Sequence, residues 1–174
     1  MTDKMIFQLL IVVCSITHIV RTVYEILKHK KILKSSRLTF VIIFANMITL
    51  WVSWFLLCSK DPSGIEPASF YRYFGISLFG SGMVAFFLGL FTIKTLESYE
   101  GDLITNGIYS IVRHPMYLGF ILWLLGFPIF FGSLFSLGIS FLFILNVLFW
   151  RYLEEKELEE RFPNYAEYKK NTLF

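Results

Sequence analysis

The sequence predicts an all-α integral membrane protein with about five transmembrane helices. Hydrophobic residues make up 56% of the 174 residues, above the roughly 45–50% that is typical of soluble proteins. Long apolar segments approach or exceed the roughly 20 residues that a helix needs to cross a bilayer, and polar clusters separate them. Because a chain of this length usually forms one domain, we expect a single membrane domain, 1–174. Its first part, 1–93, holds three spans, and 94–174 holds a polar loop, a helical hairpin and a tail.

Five apolar segments carry this prediction. They are 5–27, 38–58, 70–93, 115–131 and 133–150. The last two are separated by Gly132 and Ser133 alone, so they are expected to pair as a tight hairpin with Pro128 near its tip. Small residues let membrane helices approach closely, so the glycines of the third segment predict helix packing. These glycines are Gly75, Gly80, Gly82 and Gly89.

The distribution of lysine and arginine predicts the orientation in the membrane. The first connection is strongly basic, with Lys28, Lys30, Lys31, Lys34 and Arg37. The second connection, 59–69, has one such residue, Lys60. Because basic loops stay in the cytoplasm, we expect an outside N-terminus and a cytoplasmic C-terminus and 94–114 loop. The basic loop is also expected to contact anionic membrane lipids, and a net charge of +3 does not indicate a nucleic-acid partner.

Isolated polar residues within the apolar segments suggest packing more than chemistry. His18 is expected to be a packed, hydrogen-bonded histidine, and Arg21 to extend toward the cytoplasmic edge of the membrane. Cys14 and Cys58 both lie in apolar runs, and the sequence has no Cys-x-x-Cys spacing. We therefore expect neither a disulfide nor a metal site.

The stretch from Gly107 to Gly119 concentrates residues that a lipid-buried helix does not need. His114 precedes a proline and is therefore biased toward extended backbone, whereas Pro115 suits the first position of a helix. The N–H groups of such a helix start favour an anion, and Arg113 adds a cation beside His114. Tyr109 and Tyr117 flank this position, where their faces could contact a ring or a sulfonium cation.

The last apolar segment continues into a charged tail. Its helix is expected to extend past the membrane edge to Glu154 and Glu155, and Pro163 to divide the tail into two short helices. A loosely helical apolar face could lie on the membrane interface; it comprises Leu153, Leu158, Phe162 and Tyr165. The residues by themselves leave two interpretations open, a polar ligand site or a structural turn beside a solvated acidic tail.

The motif Gly107-x-Tyr-x-x-x-Arg-His-Pro-x-Tyr-x-Gly119, the hairpin, the paired glutamates and the Phe…Tyr-x-x-Tyr tail resemble the isoprenylcysteine carboxyl methyltransferase family. That family belongs to a broader group with membrane phospholipid methyltransferases. The resemblance runs from about Lys94 to Thr172 and implies an integral membrane enzyme that uses S-adenosylmethionine. By position, it implies cofactor contacts from Lys94, Leu103, Ile104, Tyr109, His114, Pro115, Met116, Tyr117 and Glu154.

Two positions depart from the family pattern. Lys94 stands where the eukaryotic enzymes carry a glutamine. The arginine that contacts the substrate carboxyl in those enzymes falls on Trp150, and Arg151 is the next residue. Arg151 is therefore the candidate for substrate contact, and Glu155 joins Glu154 as a candidate cofactor contact.

The chemistry suits this cofactor. Its carboxylate fits the helix start at Arg113 and His114, and its ammonium and ribose hydroxyls fit a glutamate. A carboxylate acceptor is ionised near pH 7 and needs no base, whereas an amine or thiol needs a proton acceptor such as His114. We expect methyl transfer to a lipophilic acceptor, foremost the carboxylate of a prenylated or other lipid-linked molecule. The alternatives are a phospholipid amine or hydrophobic thiol methyltransferase and a non-catalytic membrane binding protein.

Overall fold

The computed structural model describes residues 3–33, 36–93 and 102–174, and across these the fold is all-α. Its helices are α1 (Asp3–His29), α2 (Arg37–Ser59), α3 (Ser69–Ile93), α4 (Pro115–Phe131), α5 (Leu134–Arg161) and α6 (Tyr165–Lys170), with a 3-10 turn at Gly107–Ser110. Four of them, α1, α2, α3 and α5, are long and apolar enough to cross a membrane, and α4 is a shorter apolar helix. The prediction of an all-α integral membrane protein is confirmed.

Three of the four glycines that the sequence predicts to pack do so against α4, whereas a Cβ added to Gly80 would have no atom within 4 Å. A Cβ added to Gly75 would lie 2.5 Å from the backbone nitrogen of Phe130, and one added to Gly82 would lie 2.7 Å from the Trp123 side chain. A Cβ on Gly89 would lie 2.8 Å from Pro115. The seven-residue spacing keeps these glycines on one helix face, so the backbones approach closely along the whole contact.

The turn between α4 and α5 needs a glycine. Gly132 adopts a left-handed conformation, with φ of +71°, and a Cβ there would collide with the carbonyl oxygen of Ile65. The connection between α2 and α3 therefore packs directly on the hairpin tip. The backbone N–H of Ile65 donates to the Gly132 carbonyl at 3.0 Å, and the Ser133 hydroxyl donates to the Cys58 carbonyl.

Asp61, from the connection between α2 and α3, caps the start of α5. Its carboxylate accepts hydrogen bonds from the backbone N–H and hydroxyl of Ser136 at 2.7 and 2.8 Å, and from the hydroxyl of Ser63 at 2.7 Å. Burial would raise the pKa of Asp61, but the hydrogen bonds from Ser136 and Ser63 outweigh burial and hold it below its usual value. A negative charge at this helix start also complements the helix dipole.

A small polar network joins α1 to α5. The Nδ1 atom of His18 lies 3.1 Å from the side-chain nitrogen of Asn146, and the imidazole stacks on Phe143 with ring centroids 4.0 Å apart. Thr22 donates to Asn146 at 2.9 Å and accepts from the indole of Trp150 at 2.9 Å. His18 is therefore the packed, hydrogen-bonded histidine that the sequence predicts.

The tail follows the predicted division at Pro163, since α5 ends at Arg161 and α6 begins at Tyr165. Its apolar face turns toward the bundle. Leu153 and Tyr165 are buried, because α6 folds back along α5 and brings their side chains against the protein interior.

Candidate functional site

A large cavity opens at one end of the bundle, where α1, α3 and α5 end and α2 and α4 begin. It encloses about 1430 Å³ of atom-free space, a volume that includes open solvent at its mouth. Of the residues that sequence reasoning selected, it is lined by Leu103, Ile104, Tyr109, Arg113, His114, Pro115, Met116, Tyr117 and Glu154. Lys94 lies outside the described residues.

The start of α4 forms one wall of this cavity. His114 precedes the helix and Pro115 is its first residue, as predicted, and the His114 side chain makes no capping hydrogen bond. The N–H groups of the first helical turn have no acceptor inside their own helix, and they favour a negative charge. An uncapped helix start in a cavity wall therefore offers donors to an anionic group.

The Arg113 and His114 side chains beside this helix start contact other groups of the protein. The Oε1 atom of Glu155 lies 3.4 Å from His114 Nε2 and 3.5 Å from Arg113 Nε. Its Oε2 atom accepts a hydrogen bond from Lys169 at 2.9 Å. Arg113 also donates to the carbonyl oxygens of Lys169 and Thr172. The sequence predicts an anion beside Arg113 and His114, and in the structure the Glu155 carboxylate lies there.

Glu154 has a different environment from its neighbour. Consecutive residues of an α-helix point about 100° apart, so Glu155 turns toward the tail while Glu154 lines the cavity. The Tyr117 hydroxyl lies within hydrogen-bonding range of Glu154. Of the two adjacent glutamates, Glu154 is the one placed to contact a ligand, and Glu155 holds the tail.

Two tail tyrosines hold the loop that precedes α4. The Tyr168 hydroxyl donates to the Tyr109 carbonyl oxygen at 2.6 Å, and the Tyr165 hydroxyl lies 3.5 Å from His114 Nε2. Burial raises the pKa of Tyr168 to about 12. Burial, reinforced by the charge of Glu154, also raises the pKa of Tyr109. These phenols therefore stay protonated near neutral pH, as hydrogen-bond donors.

Arg151 does not line the cavity, although its neighbour Trp150 does. Its guanidinium carbon is 4.5 Å from the ring centroid of Phe174. The strand-like end of the chain is fixed beside it, because the N–H of Leu173 donates to the Ile111 carbonyl at 2.8 Å and the N–H of Arg113 donates to the Leu173 carbonyl at 3.0 Å. Arg151 therefore anchors the tail. Its partner, Phe174, lies 23 residues later, so a local sequence pattern could not connect the two.

The sequence reasoning missed the contribution of α1. Arg21 does not extend to the membrane edge as expected: it is buried, forms an ion pair with Glu25 and lines the cavity with it. Arg21 stays inside because its guanidinium lies 5.2 Å from the Tyr24 ring centroid and 5.9 Å from that of Trp150. An arginine and a glutamate four residues apart in an apolar segment were the available signal, since such residues usually face protein or water.

The α2 helix supplies an apolar wall that hydropathy alone did not single out. It comprises Phe40, Ile43, Phe44, Met47 and Trp51. Opposite it, Phe86 of α3 and Phe120 of α4 also line the cavity. The cavity therefore joins a polar end, with charges of both signs, to an apolar region that could hold a hydrocarbon chain.

Comparisons with known proteins match the half of the chain that carries the loop, the hairpin and most of the tail. A sequence profile of the phospholipid methyltransferase family matches residues 70–165. A protein-S-isoprenylcysteine O-methyltransferase of Saccharomyces cerevisiae is 38% identical over 84 residues, which cover 44% of this chain and 33% of the relative. The enzyme of the same name from Schizosaccharomyces pombe is 33% identical over 54 residues, which cover 31% of this chain and 21% of the relative.

The matches to the curated relatives are partial. The chain spans about a third of the first relative and about a fifth of the second. No solved structure matches the chain significantly. The profile match begins within α3, so α1 and α2, with Arg21, Glu25 and the apolar wall, lie outside it.

Proposed function

This chain belongs to the phospholipid methyltransferase family, and we propose that it transfers a methyl group from S-adenosylmethionine to a lipophilic acceptor. The acceptor class that we favour is a carboxylate on a prenylated cysteine-like or other lipid-linked molecule. The observation that carries the proposal is the single cavity that joins the uncapped start of α4 and Glu154 to the apolar wall of α2. Donor and acceptor could meet at the boundary between these two regions.

The polar end of the cavity fits the chemical groups of the cofactor. The first-turn N–H groups of α4 and the His114 ring suit its carboxylate. Glu154 suits its ammonium or ribose hydroxyls, and the faces of Tyr109 and Tyr117 suit its adenine or its sulfonium cation. When bound, the cofactor supplies an activated methyl group.

The residues of this chain then act by alignment. A carboxylate acceptor is ionised near pH 7, so no side chain has to remove a proton from it. Glu154 and the α4 start hold one reactant while the apolar wall holds the other, and a fixed geometry of this kind lowers the barrier to an in-line displacement. The surrounding aromatic residues exclude water, which strengthens the charge interactions inside the cavity.

A second candidate is methylation of a phospholipid amine, which the family name and one contact favour. Glu155 lies 3.4 Å from His114 Nε2, an arrangement that orients an imidazole to accept a proton at its other nitrogen. An amine acceptor would need such a base. Transfer of labelled methyl into a lipid extract separates the two candidates, because a methyl ester is released by mild base and a methylated amine is not.

Cofactor binding tests the proposal directly. Purified protein in lipid nanodiscs should bind radiolabelled S-adenosylmethionine saturably, and Glu154→Ala should weaken binding at least about 10-fold, the loss expected for a charge-assisted hydrogen bond. Glu160→Ala is the matched control, since Glu160 lies on the same helix with its side chain 66% exposed. Absence of binding to the wild-type protein, or equal binding by both variants, would refute the proposed cofactor site.

We also propose that the cavity opens on the cytoplasmic side. The lysines at the end of α1 lie at the cavity end of the bundle, where Lys28 is 3.8 Å from Glu157 and Lys31 is 3.8 Å from Glu160. Single cysteines at Lys31 and Glu160, in a variant without Cys14 and Cys58, should both resist a membrane-impermeant thiol reagent in intact cells and react after lysis. Labelling of either one in intact cells would contradict this orientation.

A further inference from the structure

Arg21 lines the cavity and has a buried donor that no described residue satisfies. The described residues include three arginines with a buried Nε atom that has no hydrogen-bond partner among them: Arg21, Arg113 and Arg151. The Nε of Arg113 lies 3.5 Å from Glu155, and the guanidinium of Arg151 lies over Phe174. Glu25 pairs with the Nη2 atom of Arg21, whereas the Nε atom of Arg21 has no hydrogen-bond partner among the described residues.

The Nε donor of Arg21 is suited to a second anionic partner besides Glu25. The residue is 8% exposed, and a guanidinium remains charged at any physiological pH while offering five N–H donors. Leaving a buried donor without an acceptor costs about 1–3 kcal/mol. Guanidinium donors are arranged for two-point contact with a carboxylate, so a ligand carboxylate that reaches the Nε edge would satisfy them.

The position of Arg21 along the cavity selects the part of the ligand that it meets. Arg21 and Glu154 line the same cavity. Met47 and Trp51 of α2 line it as well. Arg21 therefore shares one cavity with Glu154 and with the apolar wall, which allows it to contact the head group of a lipophilic acceptor.

We propose that Arg21 binds the carboxylate of the acceptor and that Glu25 is a positioning residue that holds the guanidinium in place. This inference rests on the proposed function, and it assigns to α1 the role that sequence reasoning gave to Arg151. In the proposed reaction, one carboxylate oxygen of the acceptor attacks the methyl carbon of S-adenosylmethionine. The bond between that carbon and sulfur breaks, and its electron pair passes to sulfur. The products are an ester and a neutral thioether, and no proton is transferred. Arg21 fixes the acceptor for this displacement.

The test must separate binding from folding. A single Arg21 substitution would leave Glu25 buried and unpaired, which strongly destabilises proteins, whereas replacing both partners of a buried ion pair by apolar residues is often tolerated. The main variant is therefore the double change Arg21→Met with Glu25→Leu. Arg21→Lys is a second variant that keeps the charge and loses the fork of donors. Lys30→Gln, at an exposed position just after α1, is the control.

The probes are an N-acetylated farnesylcysteine and its carboxamide, tested as competitors for binding and as acceptors in nanodiscs. Wild-type protein and the Lys30→Gln control should bind the carboxylate at least about 10-fold more tightly than the carboxamide, the preference expected from one charge-assisted contact. The double variant should lose that preference, Arg21→Lys should retain part of it, and both should bind radiolabelled S-adenosylmethionine with unchanged affinity.

The possible failures are distinguishable. If the double variant keeps the wild-type preference for the carboxylate, or if the wild-type protein shows no preference, the role of Arg21 is refuted while the proposed methyltransferase activity stands. If wild-type protein binds no S-adenosylmethionine, the proposed function itself fails. If the double variant loses cofactor binding as well, Arg21 belongs to the cofactor site and the inference is wrong.

Discussion

Glu155→Gln should loosen the tail and lower the stability of the protein. Glu155 is 7% exposed, and its carboxylate lies within 3.5 Å of His114, Arg113 and Lys169. The substitution keeps the size of the side chain and removes its charge. It therefore isolates the electrostatic contribution of the only carboxylate that meets this group of donors among the described residues.

The structure sets the size of the effect. Removing one partner of a buried ion pair costs about 3–5 kcal/mol. The lower end applies here, because the Lys169 side chain is 39% exposed and solvent screens its share, and because Arg113 keeps its carbonyl acceptors in the tail. A loss of about 3 kcal/mol corresponds to a fall in Tm of roughly 6–12 °C for a chain of this size.

Thermal unfolding in detergent, followed by tryptophan fluorescence, measures this fall, since Trp150 lies near Glu155 on α5. Glu159→Gln is the matched control: Glu159 also accepts a hydrogen bond from Lys169, at 3.1 Å, but it lies at the surface and should leave Tm unchanged. A Tm for Glu155→Gln within 2 °C of wild type, or an equal fall for both variants, would refute the view that Glu155 holds the tail.

Two further predictions concern the frame of the bundle. Gly75→Ala should destabilise the protein by about 1–3 kcal/mol, as overpacking usually does, because the new methyl group meets backbone atoms of α4 at 2.5 to 2.9 Å. Gly80→Ala is the control: an added methyl group has no atom within 4 Å, so the Tm should stay unchanged or rise. Asp61→Asn should cost about 1 kcal/mol, as loss of a helix cap does. Because folding lowers the pKa of Asp61 below its ordinary 3.8, this contribution is present above about pH 4 and is lost as the pH falls through the folded-state pKa.

Thermal unfolding checks both. Equal Tm changes for Gly75→Ala and Gly80→Ala would contradict close packing of α3 on α4. For Asp61, the difference in Tm between wild type and Asp61→Asn should shrink as the pH is lowered from 6 to 3. A difference that stays constant over this range would show that the charge of Asp61 does not stabilise α5.

The sequence was sufficient for features that depend on neighbouring residues. Hydropathy located the helices to within a few residues, except that α5 and its tail extension form one continuous helix to Arg161. The start of α4 at Pro115 was also predictable, because a proline fixes its own backbone and restricts the residue before it. Gly132 at the hairpin turn follows from the same kind of local constraint.

Features that depend on distant contacts were not predictable from local patterns. The α4–α5 hairpin brings Glu155 beside His114, but Lys169 reaches Glu155 only because α6 folds back along α5, and local patterns do not state that geometry. Arg151 faces Phe174 for the same reason. In α1, His18, Arg21 and Glu25 recur at helical spacing and indicate one polar face, but the pattern does not show which neighbouring helices that face meets. Most of the polar groups in the cavity wall could be predicted from the sequence, but the apolar wall that α2 supplies could not.

A structure of the protein in nanodiscs with S-adenosylhomocysteine, the demethylated product, would show directly whether this cavity is the methyl-transfer site. We expect ligand density inside the cavity, between the first turn of α4 and Glu154, with Arg21 facing the space beside the ligand sulfur. Density at another place, or an empty cavity at a saturating concentration of the product, would contradict the claim that this cavity is the methyl-transfer site.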